Sequence, residues 1–156
     1  MRGPVVRALI QAMSAALCVV ALAAPALADT PPLTQDGFLI LKAGQAALIH
    51  FDADGKIVFD QGWSAPTDPD RPADPTADHL LLSFTTAGPG SNLVVKSGYA
   101  SAFGYHARLR RGSAAKPTSV CPIVARGEAL ESWQDAIDGV EVGDFKAVPS
   151  SELRCQ

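Results

Sequence analysis

Between Phe103 and Arg110 the chain alternates without interruption. Phe103, Tyr105, Ala107 and Leu109 fall on one side, and Gly104, His106, Arg108 and Arg110 on the other. Successive side chains of a strand point to opposite faces, so this period of two marks a strand with one buried face. Such a strand needs partners, and the rest of the chain offers them as short apolar runs. They lie at 38–41, 46–51, 57–59, 79–86, 92–97, 119–124 and 140–145. Turn chemistry separates them: Gly44, the Asp54-Gly55 pair, Gly88-Pro89-Gly90 and Gly112. Asp-Gly between two apolar runs is a hairpin signal, because both residues accept positive φ. Gly143 interrupts the last run, where a bulge is expected.

One segment reads differently. Leu130, Trp133 and Ile137 fall at i, i+3 and i+7, with Glu128 and Glu131 at the start and Gly139 beyond the end. That spacing predicts a short helix over 128–137. The expected fold is all-β: a single antiparallel β-sandwich, Ig-like or a small barrel, of seven to eight strands, with that one helix. The Cys-Trp-Cys layout of antibody domains is not present, since Cys155 lies at the chain end.

Residues 61–78 (QGWSAPTDPDRPADPTAD) are the conspicuous break. Four prolines and four aspartates leave little to bury, so an exposed loop is expected. The stretch before it is too short to fold alone. The expected organisation is a signal peptide over 1–28, a flexible tail over 29–36 and one β-rich domain over 37–156.

The signal peptide rests on three features in order. Arg2 and Arg7 form a basic start, Ala8–Ala24 an apolar stretch, and Ala26-Leu27-Ala28 a small-x-small cleavage pattern. An uncleaved anchor is the competing reading, but the stretch is rich in alanine and would insert weakly. Cleavage after Ala28 implies a periplasmic or secreted protein with no membrane span in the mature chain. It also removes both basic residues of the leader, leaving 11 Lys and Arg against 16 Asp and Glu. That balance argues against nucleic acid as a partner.

Export decides how the cysteines are read. Cys18 leaves with the leader, so Cys121 and Cys155 remain. An oxidising compartment favours a disulfide between them. The bridge would tie the C-terminal tail to the body, at roughly 3–4 kcal/mol by loop-closure entropy. A Cys-x-x-Cys redox motif is missing, and a zinc site there would need further ligands.

Signatures of chemistry are few. The chain has no Gly-x-Ser-x-Gly and no Gly-rich phosphate loop, and no cofactor is implied. Both methionines precede residue 14, so the mature chain lacks the methionine of blue-copper sites. His50, His79 and His106 have no metal-ligand spacing in sequence, and only strand pairing could bring them together. No metal site is assigned, and the acids of the Pro-rich loop read as solvated. Arg108 and Arg110 share a strand face, while Trp63 and Tyr99 fall in turn regions. These four are the candidate ligand contacts.

Two functions from different classes follow. One is an exported, non-catalytic β-domain that binds a protein or another envelope component. The other is a small exported hydrolase using carboxylates and a histidine that converge in the fold. Two histidines meeting an aspartate in one cleft, with shifted proton affinity, would favour the hydrolase.

Overall fold

The computed structural model describes residues 33–34, 36–64 and 68–155. The expected signal peptide lies outside them, as does most of the expected tail. What is described of that tail is tied down. The Thr34 backbone N–H donates to Phe38 O (2.8 Å), and Asp36 accepts from Arg108 (2.7 Å).

Among the described residues, nine antiparallel strands form two sheets. In chain order they are β1 (Leu39–Lys42), β2 (Ala46–Phe51), β3 (Ile57–Trp63), β4 (Leu80–Ala87), β5 (Gly90–Ser97), β6 (Ala102–Arg111), β7 (Ala114–Thr118), β8 (Glu128–Trp133) and β9 (Gly139–Val148). The first sheet has the order β1-β9-β6-β7, and the second β3-β2-β4-β5-β8. They pack face to face as a sandwich, with no closed barrel.

The core is the set of inward positions from both sheets. Leu39, Leu41, Val140 and Val142 face Ile49, Leu80, Leu82, Phe84, Leu93 and Val95, all fully buried. Burying each such side chain contributes roughly 1.5–3 kcal/mol against exposure. The alternation read in the sequence is visible in β6, where Phe103, Tyr105 and Ala107 are buried and Gly104, His106 and Arg108 between and after them are not. The β2–β3 hairpin closes as its sequence predicts. Asp52 Oδ1 accepts from the backbone N–H of Asp54 and Lys56 (both 2.9 Å), and Gly55 takes φ +75°.

Several local expectations are corrected. Residues 128–133 form β8, not the first turns of a helix. Pairing with the open edge of β5 supplies the backbone bonds a helix would have made internally. Ala129 and Glu131 point inward, while Leu130 is 60% exposed. The expected strand at 119–124 is irregular apart from one bridge, Phe103 to Ile123. The strand that follows β6 is instead β7, an edge strand that tolerates Pro117 because one side of its backbone is unpaired. The loop also starts later than expected, since β3 runs through Gln61 and Gly62 to Trp63. Beyond it, residues 68–78 contain no strand and are mostly exposed. The bulge in β9 falls just after Gly143: Asp144 and Phe145 together oppose Tyr105.

Cys121 and Cys155 are bonded, closing 34 residues of sequence separation. Buried Glu131 holds the segment that carries Cys121. One of its oxygens accepts from the Cys121 backbone N–H (2.6 Å) and lies 3.4 Å from the Tyr105 hydroxyl. Burial and this carboxylate push the Tyr105 hydroxyl well above its ordinary pKa.

Candidate functional site

The outer face of the five-stranded sheet brings His50, Asp60 and His79 together. Each arrives for a local reason. His50 alternates outward from β2 after Ala46 and Leu48, which pack with Trp63 and Leu81 on that same face. His79 precedes β4, one step past the paired residues Ile49 and Leu80. The register therefore sets it opposite His50, and the two ring centroids are 5.6 Å apart. Asp60 is the extra residue of a bulge in β3: Leu48 pairs with Gln61, but Ile49 already pairs with Phe59. A bulge frees one residue from the ladder and re-aims its side chain.

The geometry is close. His50 Nδ1 lies 2.9 Å from both Asp60 carboxylate oxygens, and His79 Nε2 lies 3.6 Å from Oδ2. One donor atom from each residue can be chosen so that all three lie within 4.8 Å of one another. The side chains are about a third exposed, at 36%, 28% and 29%.

The far side of His79 is anchored. Its Nδ1 lies 2.8 Å from the Ala77 carbonyl and 3.1 Å from Thr76 Oγ1. A carbonyl only accepts, so Nδ1 carries the proton and, in the neutral ring, Nε2 presents a lone pair toward Asp60. Gly98 makes this approach possible. A Cβ there would sit 2.0 Å from the Thr76 carbonyl oxygen, while the Gly98 backbone N–H donates to His79 O (2.9 Å).

The residues singled out as ligand contacts lie elsewhere or are engaged. Trp63 is 5% exposed and belongs to the end of β3, not to a turn. Tyr99 is half-buried against Phe51 and Phe103, and its hydroxyl accepts from the Phe51 backbone N–H (3.1 Å). Burial raises its pKa. Arg108 and Arg110 do share a face, on the opposite sheet, but both pair with Glu141, which is buried. Arg108 also pairs with Asp36 (2.7 Å) and lies 3.9 Å from the Phe38 ring centroid. Hydrogen bonds from Thr34 and Arg108 hold the Asp36 carboxyl below its ordinary pKa.

His106 stands apart from the other histidines, on the four-stranded sheet, paired with Asp144 (2.9 Å). In the Pro-rich loop, Asp74 is not simply solvated: Lys96 Nζ donates to it (2.8 Å) and to Ala73 O (2.7 Å). A shallow groove of about 480 Å³ opens beside this contact, between Asp74, Lys96, Arg126 and Glu128. Among the described residues no helix is long and apolar enough to cross a membrane.

Both histidines stand out in the sequence, whereas Asp60 lies beside the Pro-rich loop and nothing distinguishes it from the other acids there. The available signal was the ten-residue separation of His50 and Asp60 across the Asp54-Gly55 turn, which places them near each other on paired strands. No protein-family model, curated protein or solved structure matches the chain.

Proposed function

We propose that this chain is an exported, non-catalytic β-domain that binds an envelope component in the periplasm or outside the cell. The observation that carries this reading is the setting of the His50, Asp60 and His79 cluster. These side chains converge on an open sheet face, about a third exposed, where incoming groups can reach them. Acid–base and nucleophilic chemistry gains most from a site that excludes water, and an open face does not.

The hydrolase reading draws on the same three residues, and the proton on His79 weighs against it. The neighbouring hydroxyl, Thr76 Oγ1, faces Nδ1, whose proton is committed to the Ala77 carbonyl. A base must present a lone pair to the hydroxyl it activates, and this nitrogen presents a proton. The leader-like first 28 residues and the Cys121–Cys155 bridge both fit an oxidising destination.

The test has two arms. Cross-linking in intact cells should give an adduct between the exported chain and an envelope component. Ester, peptide, phosphoester and glycoside substrates should show no turnover that His79→Ala abolishes. Turnover lost in that variant would overturn the reading in favour of the hydrolase, and recovery of the chain from the cytoplasm would overturn export.

A further inference from the structure

We propose that His50, Asp60 and His79 form a binding site for a divalent first-row transition metal ion, with Zn²⁺ as the representative. The proposal rests on the binding-domain reading above and supplies a ligand for it.

Three independent features carry it. The first is the donor set. Two imidazoles and one carboxylate suit zinc, nickel or copper(II), whereas calcium takes six to eight oxygen ligands that this cluster does not offer. The second is spacing. Donor atoms around a tetrahedral zinc lie about 3.4 Å apart, given bonds of ~2.0–2.1 Å. Here Asp60 Oδ2 is 2.9 Å from His50 Nδ1 and 3.6 Å from His79 Nε2, and one donor from each residue lies within 4.8 Å of the others, so side-chain rotations that even out these separations bring the set to that geometry.

The third feature is the support behind His79. A ligating histidine typically donates its other ring N–H to a carbonyl or carboxylate, which fixes the tautomer and the ring plane. His79 already does so, through Nδ1–H to the Ala77 carbonyl (2.8 Å). That carbonyl belongs to the segment packed against Gly98, so the ring is held before any ion arrives. Asp60 contributes a side chain freed from ladder alternation by its bulge.

On binding, the ion replaces the proton that His50 Nδ1 now donates to Asp60. That proton passes to solvent, and the partly exposed ring takes one up at Nε2, so the imidazole remains neutral. Three protein ligands leave a fourth position to water.

His106 and Asp144 provide an internal control. They form the same kind of pair at the same 2.9 Å, but without a second histidine in the cluster. The experiment is a zinc titration of the full exported chain, purified without an affinity tag and stripped with chelator. Calorimetry should give one zinc per chain, with calcium failing to compete. His50→Ala, His79→Ala and Asp60→Asn should each weaken binding about tenfold or more, by analogy with losses seen even for supporting groups. His106→Ala should leave the affinity unchanged.

Should a variant fail to fold, ring-nitrogen NMR of the unmodified protein decides. Zinc should shift the His50 and His79 signals and spare His106. Absence of saturable binding, equal competition by calcium, or zinc signals centred on His106 would overturn the proposal. None of those results bears on export or on turnover. Conversely, a catalytic or cytoplasmic chain would defeat the binding-domain reading while the zinc result stood.

Discussion

Asp60 owes its position to one inserted residue. Without the bulge, β3 would keep strict alternation with β2, and its side chains would follow the pleat. Glu141 shows a different control at the same scale. Its carboxylate is buried on β9, with Arg108 and Arg110 closing over it from β6. The arginines keep part of their surface in water, while Glu141 keeps almost none, at 4% side-chain exposure. Losing the arginines therefore costs more than losing the acid, because it strands a buried charge. Arg108→Ala combined with Arg110→Ala should lower stability by about 3 kcal/mol. Adding Glu141→Leu should recover most of that loss, since a buried ionic group replaced by an apolar one is often neutral. Urea unfolding of the double and triple variants measures both effects. A triple variant no more stable than the double would show that Glu141 is not a stranded charge.

Elements were legible where the information is local. The alternation in β6 and the Asp52–Lys56 turn are written in neighbouring residues, and both form as read. Elements whose form depends on a distant partner were not legible. Residues 128–133 carry a helix-like spacing, yet the free edge of β5 converts them to strand β8. The same holds for the cluster: each histidine is visible in sequence, but the register that opposes them is a property of the β2–β4 pairing. The bulge that adds Asp60 leaves no local signature, because an extra residue looks like any other until its partner strand is known. Leu130 discriminates the two forms of the 128–133 segment. A helix packed through Leu130, Trp133 and Ile137 would lose about 2–5 kcal/mol on Leu130→Ala. In β8, where Leu130 is 60% exposed, the loss should stay below about 1 kcal/mol. Thermal or denaturant unfolding of this one variant separates them.

At the scale of the whole molecule, the sandwich core and the disulfide divide the work of stability. The core joins both sheets through inward residues of seven strands, including Phe84, Leu93 and Val142. The tail beyond β9 has little of its own to bury: only a short 3₁₀ turn (Ser150–Glu152) and half-buried Leu153 precede the bridge to Cys121. A chain-entropy contribution of roughly 3–4 kcal/mol from that bridge depends on oxidation, and oxidation depends on where the chain goes. Under the proposed export, destination and cross-linking are thus physically coupled. The most direct measurement is the intact mass of the chain recovered from the cell envelope, taken without reduction. The account predicts a chain beginning at Asp29 and lighter by two hydrogens than its fully reduced form, with no thiol reactive after denaturation. A mass that retains residues 1–28, or two reactive thiols at Cys121 and Cys155, would contradict it.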